Sequence, residues 1–201
     1  MEVETPHGPA RVHLRELDSP VAGLVLGHGA AGGVGTTDLV AAAEVANQAG
    51  LAVALVEQPY VVAGRRSPAP AKQLDAAWKV VVGDLLSGPF NGLALIAGGR
   101  SAGARVACRT AGDVGAVAVL CLAFPVHPPG RGDDPSKSRM SELDAVQVPV
   151  LVVQGDSDPF GMPSGAAGRT VVEVPGNHSL RDADAVSAAI SDWLPTVLSG
   201  L

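Results

Sequence analysis

Three residues in this chain have the types and the order that acyl transfer needs: Ser101, Asp158 and His178. A hydroxyl nucleophile needs a base to take its proton, and the base needs an acid to orient it and balance its charge. Ser101 lies in Gly99-Arg100-Ser101-Ala102-Gly103, a Gly-x-Ser-x-Gly spacing. Between a strand and a helix this spacing makes a turn so tight that the flanking positions cannot carry side chains. The serine hydroxyl is then presented at the carboxyl end of the sheet, with a helix N-terminus aimed at it. The context fits, because 92–97 reads as a buried apolar strand and 104–111 as a helix. With 25 glycines in the chain the spacing alone is weak, so its partners carry the argument. In these roles Ser101 would attack a carbonyl carbon and His178 would shuttle the proton to the leaving group. Asp158 would hold the imidazole and stabilise its charged form.

A tetrahedral intermediate also needs hydrogen-bond donors. One is expected from the backbone N–H of Ala102, at the start of the helix. The second is expected from His28-Gly29-Ala30-Ala31-Gly32, with the N–H of Ala30 first and Gly29 next. Small residues suit a loop whose backbone must approach a substrate. Asp156 and Asp158 compete for the acid. The last position of Gly155-Asp156-Ser157-Asp158 favours Asp158 and leaves Asp156 as a solvated turn residue. His28, Gly29, Tyr60, Arg100 and His127 are candidate pocket-lining residues, since each falls near a strand end. His127 has an equal alternative in shaping its loop. Arg65 and Arg66 read as solvated loop charges, with binding of an anionic group as the alternative. Gly27-x-Gly29-x-x-Gly32 also matches a dinucleotide-binding turn. Against that reading, Glu57 comes later than the usual ribose-binding acid, and the Ser-Asp-His order would go unexplained.

The elements that must position these groups follow from hydrophobic patterning. Residues 1–15 read as a hairpin. Continuous apolar runs at 21–26, 51–56, 92–97, 114–124, 150–153 and 170–174 read as strands. Helical spacing places Leu74, Ala77, Trp78, Val81 and Leu85 on one face, and Val186, Ile190, Trp193, Leu194 and Val197 on another. Pro195 is expected to kink or end the final helix. Apolar strands alternating with helices predict an α/β fold of about seven strands, mostly parallel, with helices on both faces. Ligands of such sheets bind at the carboxyl ends of strands. Residues 125–148 are polar and proline-rich, with a short helix at most, which leaves no room for a cap domain. The expected cleft is therefore shallow and open.

The 201 residues suit a single domain spanning 1–201. Hydrophobic residues are 47% and charged residues 17%, with mean hydropathy +0.27, so a sizeable core is expected. A net charge of −6 without a basic run argues against nucleic acid. No apolar stretch reaches membrane-spanning length, and Met1-Glu2-Val3-Glu4 lacks the features of a signal peptide. Cys108 and Cys121 fall in a helix and a buried strand, outside any metal-ligand spacing, and read as inert thiols. These features predict a cytoplasmic protein that needs neither metal nor cofactor, acts on a small acyl molecule, and names no protein partner.

Taken together, the motifs resemble a known family. Gly27-His28-Gly29-Ala30, Pro59-Tyr60 with Gly64-Arg65-Arg66, and Gly98-Gly99-Arg100-Ser101-Ala102-Gly103 carry the resemblance. Phe124-Pro125-Val126-His127-Pro128-Pro129-Gly130, Gly155-Asp156-Ser157-Asp158-Pro159-Phe160-Gly161 and Gly176-Asn177-His178 add to it. The chain resembles the small bacterial α/β-hydrolases that share a domain with a subunit of the eukaryotic non-specific lethal chromatin complex, and more distantly the dienelactone hydrolases. Ala104 stands where that pattern usually has a second glycine. The resemblance implies an α/β-hydrolase fold and the roles of nucleophile, acid and base for Ser101, Asp158 and His178. It names no substrate. A serine hydrolase of carboxylic esters or thioesters is the leading expectation, and an idle interaction module on the same fold is the rival.

Overall fold

The structure is a computed structural model, and it describes residues 1–30 and 33–201. The apolar runs form strands β3 (Ala22–Gly27), β4 (Leu51–Glu57), β5 (Leu95–Arg100), β6 (Ala116–Leu122) and β7 (Val150–Gly155). Almost every residue in them is buried, as strands covered on both faces require. Alternate residues go to opposite faces. Leu24, Leu26, Leu51, Val53, Leu120 and Leu151 join one core, and Val25, Ala52, Ala54, Val119 and Val152 join the other.

The sheet has eight strands in the order β1-β2-β4-β3-β5-β6-β7-β8, where about seven were expected. The N-terminal hairpin supplies two of the eight, β1 (Glu2–Thr5) and β2 (Gly8–Arg15), and the six apolar runs supply the rest. It lies against the sheet through antiparallel pairing of β2 with β4, because Val3, Ala10 and Val12 are apolar residues that need burial. From β4 to the edge strand β8 (Arg169–Val174) neighbouring strands are parallel. Helices α1 (Thr37–Gln48) and α6 (Ala183–Leu198) cover one face; α3 (Ala71–Ser87) and α4 (Ala102–Thr110) cover the other. A short α2 (Pro59–Val62) follows β4 directly.

Pro195 does not end α6, which continues to Leu198. Proline removes one helix hydrogen bond. Here both Pro195 and Ser191, whose carbonyl loses that bond, are on the exposed side, where water can serve the carbonyl. Between β6 and β7 there is only a 3₁₀ turn at Pro135–Lys137 and the five-residue α5 (Met140–Asp144), so no lid covers the carboxyl end of the sheet among the described residues.

β5 runs three residues further than its apolar stretch suggests, taking in Gly98 and Gly99. Glycine is a poor strand former in general, but here the neighbours demand it. A side chain at Gly99 would place its Cβ 2.5 Å from the Gly27 carbonyl oxygen, and one at Gly103 would sit 2.3 Å from the same atom. The ends of β3 and β5 and the start of α4 therefore meet with only hydrogen atoms between them. Because the obstructing atoms are backbone, Gly103→Ala is expected to destabilise the fold by about 1–3 kcal/mol in urea unfolding. A variant as stable as the parent would show that this crossing can open.

Candidate active site

The strand order places the site. β3 leads to β4 on one side, while β5 returns to pair on its other side, so the chain reverses direction at β3 and β5. Such a switch point opens a crevice at the carboxyl ends of the strands. Ser101 stands at the end of β5 with φ 53° and ψ −109°, a left-handed backbone that costs a non-glycine residue about 1–3 kcal/mol. Its N–H donates to the Leu122 carbonyl at 2.9 Å, which ties the turn to β6. The Ala102 N–H, first in α4, has no protein partner among the described residues.

His178 and Asp158 arrive from the loops after β8 and β7. The Ser101 hydroxyl lies 2.9 Å from His178 Nε2, and His178 Nδ1 lies 2.8 Å from Asp158 Oδ2. A carboxylate can only accept, so Nδ1 carries the proton and Nε2 is free to accept from the serine hydroxyl. The Asp158 carboxylate is 1% exposed. Its charge is met by donors at both oxygens. Gln154 Nε2 donates to Oδ2 at 2.8 Å, and the Phe160 N–H donates to Oδ1 at 2.8 Å. Asp156 does not approach His178; it is exposed and accepts from the Gly176 N–H at 3.1 Å. Gly155 is required by the same crowding, since a Cβ there would sit 2.5 Å from the Gly176 carbonyl oxygen.

Of the candidate lining residues, several do something else. Both ring nitrogens of His28 are used by backbone: Nδ1 donates to the Gly29 carbonyl at 2.7 Å and Nε2 accepts from the Gln58 N–H at 3.0 Å. Burial pushes its pKa down, with the Gly29 bond and nearby Glu57 opposing, so the ring is a neutral buried strut rather than a pocket wall. Tyr60 is buried too. Its hydroxyl donates to the Ala30 carbonyl at 3.0 Å, and burial raises its pKa to about 12. With the Gly29 carbonyl turned toward His28 and the peptide trans, the Ala30 N–H points the opposite way and has no partner among the described residues. Ala31 and Gly32 lie outside the described residues, so the rest of that loop and the third glycine of the dinucleotide spacing do too.

Arg100 also turns away from the cleft. Its Nη2 donates to the His178 carbonyl at 2.7 Å, and its Nε lies 2.8 Å from Oδ2 of Asp38, which is fully buried in the first turn of α1. A Cβ on Gly29 would meet Arg100 Nη1 at 2.8 Å. One guanidinium thus joins α1 to the backbone of His178 and packs closely against Gly29. Arg100→Met would leave a carboxylate buried without its cation. A loss of about 3 kcal/mol in urea unfolding is expected, partly recovered when Asp38→Asn is added. Equal losses in the single and double variants would argue against the pair.

His127 shapes its loop. Nδ1 donates to the Pro128 carbonyl at 2.9 Å, and the ring lies against Gly132 and Gly161. It is absent from the walls of the cleft beside Ser101. Arg65 and Arg66 are exposed and likewise outside that cleft. The cleft measures about 290 Å³, and Ala30, Ser101, Ala102, Pro125 and Phe160 are among its walls. Two contributors escaped sequence reasoning. Phe160 packs its ring 4.3 Å from the His178 ring, and Gln154 steadies Asp158 while also donating to the Phe124 and Gly161 carbonyls. A glutamine at the end of an otherwise apolar strand was the available signal for the latter.

Among the described residues no group of three His, Cys, Asp or Glu side chains could hold a metal ion, and no helix is long and apolar enough to cross a membrane. The model of an alpha/beta hydrolase domain matches residues 20–187. No curated protein matches, so the resemblance to the chromatin-complex domain rests on the motifs alone. Among solved structures, a lidless α/β serine hydrolase, XC6422 from Xanthomonas campestris, superposes with a TM-score of 0.75 at 20% identity, over 98% of this chain and 93% of its own. Est1E from Butyrivibrio proteoclasticus, in a structure with ferulic acid bound, has a TM-score of 0.77 at 17% identity, over 99% of each chain. A dienelactone hydrolase from Anabaena variabilis has a TM-score of 0.75 at 19% identity, over 98% of this chain and 95% of its own. At these identities the likeness is one of fold.

Proposed function

The chain belongs to the alpha/beta hydrolase domain family, and we propose that it is a serine hydrolase of carboxylic esters or thioesters that works through Ser101, His178 and Asp158. The observation that carries this reading is the unbroken chain of contacts from the Ser101 hydroxyl through His178 to Asp158, at 2.9 and 2.8 Å. Ser101 Oγ attacks the acyl carbon while His178 Nε2 takes its proton. The imidazolium that forms is stabilised by the buried Asp158 carboxylate. The oxyanion of the tetrahedral intermediate accepts from the N–H groups of Ala102 and Ala30. As the intermediate collapses, the C–O or C–S bond breaks and His178 returns the proton to the leaving alcohol or thiol. Water, deprotonated by His178, then attacks the acyl-serine, and expulsion of Ser101 Oγ, reprotonated by His178, releases the carboxylic acid. A lidless cleft suits small or exposed acyl groups.

A fluorophosphonate probe tests the reading, because it reacts with an activated serine and with little else. Wild-type protein is expected to gain one adduct, mapped to Ser101 by peptide mass. The rival, an idle fold used for interaction, predicts no adduct and no turnover across short-acyl 4-nitrophenyl esters and thioesters. An adduct on a different residue would also overturn the proposed roles.

A further inference from the structure

Three arginines stand on the walls of the cleft that holds Ser101: Arg105, Arg109 and Arg139. Two carboxylates answer them. Glu142 takes Arg105 in a two-point contact at 2.6 and 2.8 Å, and Asp75 takes Arg109 in another at 2.6 and 2.9 Å. Arg109 also reaches Glu142 at 3.3 Å. Arg139 has no carboxylate within 4.0 Å among the described residues; its one side-chain bond is a long one, 3.4 Å, to the His127 carbonyl. Three guanidiniums against two carboxylates leave one positive charge on this wall, in a chain whose net charge is −6.

That charge is not freely solvated. Arg139 is half-buried, and burial together with the like charge of Arg105 disfavours its charged form. Its main chain is fixed, since its N–H donates to the Val126 carbonyl at 2.7 Å. Much of the remaining cleft wall is alanine, proline, leucine and phenylalanine. In an apolar cleft a few placed polar groups decide which ligand fits and how it lies. A guanidinium held at its base, with donors still open, matches the two oxygens of a carboxylate.

We propose that the cleft beside Ser101 takes esters or thioesters that carry a carboxylate, such as half-esters of short dicarboxylic acids, and that Arg139 binds that carboxylate. This rests on the serine hydrolase reading for its chemistry, while the binding itself does not need turnover. Arg105 and Arg109 add to the positive potential but are occupied, so Arg139 makes the direct contact.

Matched substrates test it: 4-nitrophenyl hemiglutarate against 4-nitrophenyl valerate for the acyl arm, and 4-acetoxybenzoate against its methyl ester for the alcohol arm. Wild-type protein is expected to favour the anionic member of at least one pair in kcat/KM by between about tenfold and a hundredfold. In Arg139→Gln the ratio is expected to fall to about one, and Arg139→Lys is expected to keep part of it. Arg131→Gln, an exposed charge on the same loop, is the control and should leave the ratio as it is. Calorimetric titration with glutarate gives a readout independent of catalysis, with binding to wild type that is lost in Arg139→Gln while its melting temperature is kept. Turnover of neutral esters with no anionic preference and no glutarate binding overturns this proposal and leaves the hydrolase reading standing. Glutarate binding lost in Arg139→Gln, with no fluorophosphonate adduct, overturns the hydrolase reading and leaves the anion site.

Discussion

Ser101→Ala is expected to lower kcat/KM at least about 10⁴-fold for any ester this protein turns over, with no fluorophosphonate adduct. Covalent catalysis divides one difficult displacement into two easier ones, and it is lost entirely with the oxygen that forms the acyl bond. The donors at Ala30 and Ala102 remain, so any residual rate comes from water attacking a polarised carbonyl. The fold should not change. Among the described residues the Ser101 hydroxyl bonds only His178 Nε2, on a partly exposed ring, and alanine accepts the same backbone no worse than serine. The melting temperature therefore separates loss of the nucleophile from loss of structure. Undiminished turnover in folded Ser101→Ala would falsify the assignment of Ser101.

The positions of Ser101, Asp158 and His178 were legible because each follows an apolar run, and in a parallel sheet such runs end on one side. Strand identity was enough to bring residues 77 positions apart to 2.9 Å. Hydrogen bonds were not legible. His28 and Arg100 sit beside the site in sequence and in space, yet backbone takes both ring nitrogens of His28, and Arg100 holds the His178 carbonyl and Asp38. A residue's neighbourhood follows from topology, whereas its orientation follows from which buried donors and acceptors need partners, and that is settled only by packing. The length of β5 was missed for a related reason. Gly98 and Gly99 lack strand propensity, but they face Leu120 and Gly27 so closely that nothing larger fits. The hairpin was recognised as local structure, while its pairing with β4 depended on an edge that sequence patterning does not reveal.

A second expectation concerns the acid. Asp158→Asn should lower kcat about 10⁴-fold while leaving the protein folded. Each Asp158 oxygen accepts: Oδ1 from the Phe160 N–H, Oδ2 from Gln154 Nε2 and His178 Nδ1. An amide supplies one oxygen and one NH₂ in the same place. If the NH₂ faces His178, it donates to Nδ1 and drives the proton to Nε2, the nitrogen that must accept from Ser101. If it faces Phe160 instead, two donors oppose each other and the imidazolium still lacks its counter-charge. Both orientations disable the base without moving it. Asp156→Asn is the matched comparison, two residues away and exposed, with a side chain that accepts from the Gly176 N–H. It is expected to change kcat less than about twofold, within the range of surface substitutions. Equal effects from the two variants would mean that Asp158 serves the loop rather than the histidine, because only the carboxylate facing His178 Nδ1 can select its tautomer.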